Sequence, residues 1–356
     1  MPVERIDITY FLQLSGTFPV LDVRSPAEYK HAHIPEAFSV PIFSDEQRKI
    51  IGTAYTKESR QVAVDHGLEF FSERMKMIHE DVKSILNGLT NKDGSPINTL
   101  LVHCWRGGMR SDAVAWLLNL YGYKIFVLKG GYKAFRRWAL LQFEKQYALK
   151  VLSGFTGSGK TEVLKELKEI GKTVIDLEGF ANHKGSAFGS LGSDAQPSHE
   201  MFENLLAEEL WKINNKHGHN EQTKNEIWIE DESVHIGRVG IPKSFWQQMR
   251  ESPLYFLEIP FEERVKYIAQ HYGKFEKRQL IDCILKIQKR LGGLNTKNAI
   301  QFLNEGNFVS AFSILLKYYD KMYLKSLHNR QGIGSLLNKI SCEKVESGNA
   351  AQLIDQ

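Results

Sequence analysis

A single cysteine, Cys104, stands in LLVHCWRGGMRSDAVAWLLNLYG (residues 100–122), between a short apolar run and a loop with two glycines and two arginines. A thiol becomes a nucleophile when its surroundings favour the thiolate, and this loop offers several ways of doing so. Gly107 and Gly108 let the chain curl so that successive backbone N–H groups, that of Met109 included, point inward as an anion nest. The helix that follows adds the partial positive charge of its N-terminus, and Arg106 and Arg110 add full charges. Cys104, Arg106 and Arg110 are therefore the expected catalytic group, with Gly107, Gly108 and Met109 as the nest.

A second anion site is written in GFTGSGKT, residues 154–161, which fits G-x-x-x-x-G-K-[ST]. A strand (LKVLSG) precedes it and a helix (EVLKELKEIG) follows it, the context that a phosphate-binding P-loop requires. Gly154, Gly157, Ser158 and Gly159 are expected to cradle a di- or triphosphate on backbone N–H groups. Lys160 would neutralise its oxygens and Thr161 would take part in holding Mg²⁺. The carboxylates of IWIEDES, Glu230 and Asp231 with Glu232 beside them, fall at the end of another strand and are candidates for the same Mg²⁺. Lys184, Gly185 and Ser186, within DLEGFANHKGSAFGSLG (176–192), suit a second substrate loop. His31 and His33 lack partners at ligand spacing and read as turn and core residues, so no metal site is established from sequence.

These loops need sheets behind them. In the first third, PVLDV, FSVPI, TLLVHC and KIFVL alternate with helix-period segments, which argues for a parallel sheet with crossover helices. Residues 45–91 read as a mostly helical insertion, with NKDGSPIN as the turn back into a strand. After the helical AFRRWALLQFEKQYA, the strands LKVLSG, TVIDLEG, EIWIEDES and PLYFLEIP build a second α/β unit, and NNKHGHNEQTKNE reads as a surface loop before the third of them. From Phe261 the pattern is helical. The expected organisation is a first α/β domain over 1–140, a P-loop α/β domain over 141–262, and a basic helical region over 263–356 belonging to the P-loop half.

Composition sets the outer bounds. The 356 residues suffice for two or three domains, and 42% apolar with 25% charged residues describes a soluble globular chain. No apolar run approaches the roughly 20 residues of a membrane span, and MPVERIDITYFLQLSG lacks the pattern of a secretory signal. Cys104, Cys283 and Cys342 are too scattered for a disulfide framework or a zinc site, so a reducing cytoplasm is expected. Net charge is +4, but residues 264–339 hold 14 Lys and Arg against 4 Asp and Glu, a local +10 suited to a polyanion.

Read as H-C-x-x-G-x-x-R-S, from His103 to Ser111, the cysteine loop matches the tyrosine-phosphatase signature. Its surroundings resemble a different family. DVRSPAEYKHAHIPEAFSVP (22–41) is similar to the rhodanese stretch D-x-R-x-x-x-E-[FY]-x-x-G-H-I-x-G-A-x-x-[IVL]-P, departing from it at Ala32 and Glu36, where glycines are usual; these read as turn variations. LKGGYKAF (128–135) also resembles the segment after the last rhodanese strand. Asp22, Arg24 and Glu28 are expected to form ion pairs that fix the loop. A rhodanese-like domain followed by GFTGSGKTE and DLEGFANHKGSAFGSLG resembles the tRNA 2-selenouridine synthase family, and GTAYTKESRQVAVDHG (52–67) resembles that family's insertion between early rhodanese elements.

That resemblance, running from about Leu21 past Phe261, implies a rhodanese-like parallel sheet with flanking helices, then a P-loop NTPase-like α/β domain. It implies a transferase acting on the wobble 2-thiouridine of tRNA. The thio group is first geranylated from geranyl diphosphate, then replaced by selenium from selenophosphate, with no tightly bound cofactor. Cys104 would serve the selenium step and Lys160 the geranyl step. The basic region becomes a candidate tRNA surface, with Lys286, Lys289, Arg290 and Tyr318 as contacts. Two other readings compete: a cysteine-dependent phosphatase with a nucleotide-binding domain, and a P-loop kinase carrying a rhodanese-like binding module.

Overall fold

The computed structural model describes residues 3–91, 93–216 and 226–354. The chain divides into two compact units, Met1–Gln142 with Glu203–Glu208, and Phe143–Phe202 with Glu209–Gln356.

The first unit runs β1 (Glu4–Ile6), α1 (Ile8–Ser15), β2 (Val20–Asp22), α2 (Pro26–His31), β3 (Phe38–Ser39), α3 (Asp45–Lys57), α4 (Arg60–Leu86), β4 (Thr99–His103), α5 (Met109–Leu120), β5 (Lys124–Leu128) and α6 (Gly131–Gln142). Its sheet has the order β1-β5-β4-β2-β3 with every pairing parallel. β4 is buried along its whole length, as a strand covered on both faces must be, which is why TLLVH shows no polar alternation. Leu100 and Val102 of β4 pack with Val114 and Leu118 of α5, Ile125 and Val127 of β5, and Phe71, Ile78 and Val82 of α4. The insertion is the helix pair α3 and α4, each opened by a serine cap: Gln47 N donates to Ser44 Oγ, and Val62 N to Ser59 Oγ.

The second unit runs β6 (Ala148–Gly154), α7 (Lys160–Glu169), β7 (Thr173–Ile175), α8 (Leu177–Ala181), α9 (His199–Lys216, except Glu203–Glu208), β8 (Glu226–Glu230), the short pair β9 (His235–Ile236) and β10 (Val239–Gly240), α10 (Lys243–Glu251) and β11 (Leu254–Glu258). It continues through α11 (Phe261–Tyr272), α12 (Lys277–Leu291), α13 (Gly293–Asn304), α14 (Phe308–His328), α15 (Ile333–Leu336), β12 (Leu337–Ser341) and α16 (Ala351–Ile354). The larger sheet is again parallel, in the order β12-β11-β6-β8-β7. Val163, Leu164 and Leu167 of α7 cover it, packing on Leu152 of β6, Trp228 of β8, Leu257 of β11 and Ile340 of β12. A separate core joins α11, α12, α13 and α14 and takes in Phe188 and Leu191. The 176–192 stretch is thus anchored on the helical region by its own apolar residues.

Four strands escape the sequence pattern: the short pair β9 and β10, of two residues each, and two edges of the larger sheets. β1 and β12 are sheet edges, with only Ile6 and Ile340 respectively fully buried along them, so neither reads as an apolar run. FSVPI supplies only the two residues of β3. Asn214, Asn215 and Lys216, expected in a loop, complete α9, and His217 to Asn225 of that stretch lie outside the described residues. Of the two departures from the rhodanese pattern, Ala32 has extended backbone at φ −167°, which needs no glycine, whereas Glu36 sits at φ +63°, where glycine avoids a Cβ conflict.

Candidate functional site

Cys104 follows β4 directly, at the carboxyl end of a central strand, where parallel sheets collect ligands. The loop after it is locked against the segment that follows β5. Tyr132 N donates to Cys104 O at 2.8 Å, and Lys133 N to Trp105 O at 3.0 Å. The two segments approach so closely that a Cβ on Gly107 would lie 2.4 Å from Leu128 O, and one on Gly131 would lie 2.3 Å from Cys104 O. Both glycines also hold positive φ, +63° and +58°. CWRGGMRS and LKGGYKAF are therefore two halves of one turn.

The thiol is 3% exposed, with Ser111 Oγ 3.4 Å from its sulfur. Burial pushes the Cys104 thiol up. The Ser111 hydroxyl, backbone hydrogen bonds at Gly108 and Arg106, and the charge of Arg110 outweigh that, so the thiol titrates below its ordinary value. The arginines divide as the sequence does not show. Arg110 contributes charge through its side chain, while Arg106 is exposed and contributes its backbone N–H.

Arg110 is positioned from the stretch 22–41. Ser25, Pro26 and Glu28 open α2 as a capping box, in which Ser25 N donates to Glu28 Oε2 at 3.0 Å. The same Oε2 accepts from Arg110 Nη1 at 2.8 Å. Asp22 and Arg24 form a buried pair at 2.6 Å; Arg24 also donates to Ala32 O at 2.7 Å and lies 3.9 Å from the centre of the Tyr132 ring. These ion pairs fix the walls of the cysteine loop. His33 turns back on α2, with Nδ1 2.9 Å from Tyr29 O and its ring stacked on that tyrosine, as a turn residue does.

In the second unit the P-loop leaves β6 with Gly154, Gly157 and Gly159 all at positive φ (+154°, +83° and +71°), and Lys160 starts α7. Lys160 Nζ donates to Gly154 O at 3.4 Å, and the buried Ser158 hydroxyl has no protein partner. The loop forms one side of a cavity of about 670 Å³. Lys184, Gly185 and Ser186 line it, as do Asp231, Glu232, Arg290 and Tyr318. Lys184 Nζ is 3.2 Å from His271 Nε2.

Three glutamates crowd Lys160. Thr161 Oγ1 donates to Glu178 Oε2 at 3.4 Å, and Glu178 N donates to Glu230 Oε2 at 3.3 Å. Burial, reinforced by Glu178 and Glu232, pushes Glu230 well above the usual carboxylate range. Burial and then Glu178 push Glu232 up to about 8, and burial raises Glu178 despite the opposing charge of Lys160. Asp231 has another task. Its Oδ2 accepts from Ser153 Oγ at 2.6 Å and from Tyr323 OH at 2.7 Å, and its Oδ1 from Arg330 at 3.3 Å. That network ties α14 to the strand carrying the P-loop.

The structure thus gathers the P-loop, the 184–186 loop, Glu178, Asp231 and Glu232 around one cavity and adds Arg290 and Tyr318 to its wall, whereas Glu230 is buried and does not line it, its Oε2 accepting from Glu178 N. Lys286 and Lys289, on the same α12, are exposed. Sequence reasoning misses Ser111, Glu178 and His271 as residues of the two candidate sites. Ser111 carries a signal, the serine closing H-C-x-x-G-x-x-R-S; Glu178 and His271 acquire their place only through the fold. All three cysteines are buried and free. Among the described residues, no helix is long and apolar enough to cross a membrane.

Comparison with known proteins places two family models on the chain. Residues 8–137 match the rhodanese-like domain, and residues 147–346 match the tRNA 2-selenouridine synthase AAA domain. Relatives that match most of the chain carry the name tRNA 2-selenouridine synthase. One from Sulfurovum sp. is 34% identical over 338 residues, covering 86% of this chain and 87% of its own. Those from Bdellovibrio bacteriovorus and Shewanella frigidimarina are 33% and 32% identical, each covering 88% of this chain and 89% of its own.

Proposed function

The chain belongs to the tRNA 2-selenouridine synthase family, and from that premise we propose that it is a transferase replacing the 2-thio sulfur of wobble uridine in tRNA by selenium. The observation that carries this is the pairing, within one chain, of an activated thiol in an anion nest with a P-loop cavity. Neither feature alone selects the reaction.

Geranyl diphosphate would bind with its diphosphate on the P-loop amides and Lys160. The thio sulfur of uridine attacks its C1, the C–O bond breaks, pyrophosphate leaves and the uridine loses its N3 proton. Backbone donors held by three positive-φ glycines suit the departing pyrophosphate, because they are oriented before charge develops on it. The crowding of Glu178 against Thr161 and Glu230 beside Lys160 supports a cation there. Among the described residues no three His, Cys, Asp or Glu converge on a metal-binding geometry. Mg²⁺ would therefore be held by Thr161, one or two of these carboxylates and the phosphates, and would supply charge neutralisation.

In the second step selenium from selenophosphate bonds to C2, the C2–S bond breaks and geranylthiol leaves. Water takes the phosphoryl group as phosphate, and 2-selenouridine recovers its N3 proton. Cys104 serves this step as the thiolate at the floor of the nest, and the amides of Gly107, Gly108 and Met109 with Arg110 suit the phosphate group. The basic face of α12, with Lys286, Lys289 and Arg290, and Tyr318 in the cavity wall, would hold tRNA.

Mass spectrometry of tRNA nucleosides after incubation with thiolated tRNA, geranyl diphosphate and selenophosphate tests the scheme. Selenouridine forms with the wild type; Cys104→Ser stops at the geranylated nucleoside, and Lys160→Ala stops before it. Loss of geranylation in Cys104→Ser would overturn the division of labour. Robust tRNA-stimulated ATP hydrolysis would overturn the assignment of the P-loop to geranyl diphosphate.

A further inference from the structure

The first unit contains a second cavity, of about 390 Å³, within the range of about 300–1,000 Å³ usual for small-molecule sites. Its walls are the insertion helices α3 and α4 and the start of α5. Phe43, Ile51, Tyr55, Leu68 and Phe71 make it apolar, and Met109 and Arg110, the two residues that follow the glycines of the Cys104 nest, also line it. The cavity and the thiol site are thus continuous along the chain.

Two observations say that the space is kept open. Tyr55, Leu68 and Met109 line it yet remain 59%, 61% and 58% exposed, so a large part of their apolar surface has no cover within the unit. Glycines also stand in helix interiors where the fold does not need them. Gly67 lies within the 27-residue α4 with an ordinary helical φ, and a Cβ there would meet only the Phe43 ring, at 3.8 Å. Glycine weakens a helix at such a position, and no packing conflict requires it. What its absent side chain provides is room beside Phe43. Gly52 of α3 opens the same cavity, its Cβ direction blocked only by the flexible end of Arg48. The stretch GTAYTKESRQVAVDHG, which the proposed chemistry leaves without a task, supplies Gly52, Tyr55, Arg60, Ala63 and Gly67 to this one cavity.

The lining also carries cations. Arg48, Arg60 and Arg110 belong to it, and Glu28 receives both Arg110, at 2.8 Å, and Arg48, at 3.9 Å, which leaves Arg60 and a net positive balance. An apolar chamber with basic groups in its lining fits an anionic molecule that carries a hydrocarbon chain. The geometry points to this cavity as the site that holds the geranyl chain of the 2-geranylthio uridine while the Cys104 loop works on C2 of the same base. The inference rests on the proposed geranylated intermediate. It makes the hydrocarbon chain a recognition element of the second step, and it gives the leaving geranylthiol an apolar place to go.

The test uses full-length protein and tRNAs bearing a methylthio, dimethylallylthio or geranylthio group at the wobble uridine, with selenophosphate, and reads kcat/KM for selenouridine formation. Burial is worth about fourfold per methylene, so geranyl should exceed dimethylallyl by roughly 30-fold if half of its outer five carbons are buried. Gly67→Leu fills the chamber and should reduce that ratio to near one; Gly67→Ala should reduce it in part. Thermal unfolding no lower than wild type shows that each variant is folded. A wild-type preference for geranyl that both folded variants leave unchanged would overturn the cavity assignment and leave the geranylated intermediate standing. A wild type that converts none of the three substrates, or all three alike, would overturn the intermediate's role in this step and the cavity with it.

Discussion

Replacing Ser111 by Ala should raise the Cys104 pKa by about one unit, and the size follows from one proton. The Ser111 hydroxyl lies 3.4 Å from the Cys104 sulfur and 2.8 Å from Gly108 O, to which it donates. It cannot donate to both, so stabilising the thiolate means turning away from the carbonyl. A hydrogen bond to a charged group contributes about 1.5–3 kcal/mol and a neutral one about 1 kcal/mol. The exchange therefore favours thiolate by roughly 0.5–2 kcal/mol, centred on about one pKa unit. Arg110→Gln should do less, because Glu28 already holds that guanidinium at 2.8 Å and offsets much of its charge. The assay is the pH dependence of iodoacetamide alkylation at Cys104, followed by peptide mass spectrometry. Below both pKa values the Ser111→Ala rate should be about tenfold lower than wild type, and the two should converge at high pH. An unchanged midpoint in Ser111→Ala, or a larger shift in Arg110→Gln, would refute this account of the thiolate.

Glu232 titrates near pH 8 in the folded chain and near 4.3 when unfolded, so the folded state binds more protons between those values. Stability without bound phosphate should be highest below about pH 4.5 for this group and fall as pH rises through 8; Glu232→Gln should flatten that slope in melting curves. Gly131→Ala forces a Cβ to 2.3 Å from Cys104 O at positive φ and should cost more than about 3 kcal/mol in urea unfolding. Gly108→Ala, with nothing within 4 Å of its Cβ, should cost less than about 1 kcal/mol. Reversing the charges of Lys286, Lys289 and Arg290 should weaken tRNA binding and lower the slope of log K against log salt by about two to three, since each phosphate left unneutralised removes about 0.7–0.9 from that slope; an unchanged slope moves tRNA to another face.

The central strands are legible because two-sided burial leaves its mark on every residue: TLLVH and KIFVL carry no polar alternation to confuse with a helix. The edges are not. β12 pairs with β11 in parallel but is largely exposed apart from Ile340, so its sequence, LNKIS, resembles any surface segment. The same holds for β1, whose Glu4 and Arg5 are exposed, Arg5 donating to Gly107 O and to Asp112. The insertion is readable as helical from its composition, yet the cavity between its two helices is not, since that depends on where Phe43, Gly52 and Gly67 meet in space.

A parallel distinction separates the parts of the two sites. Backbone anion sites are local objects: the φ values that turn amides inward belong to glycines a few residues apart, so CWRGGMRS and GFTGSGKT announce themselves in any order of domains. Side-chain electrostatics is not local. Glu178 reaches Thr161 across 17 residues and sits against Glu230 across 52, and no spacing rule in the sequence brings those three together. Arg106 shows the converse error, where a charge placed correctly along the chain turns outward and leaves its amide to face the thiol. Charges counted from a motif therefore overstate the field at a nucleophile, whereas glycines counted from it do not. The acidity of Cys104 is accordingly owed first to a hydroxyl and to backbone groups, and its sensitivity to Ser111 should exceed its sensitivity to either arginine.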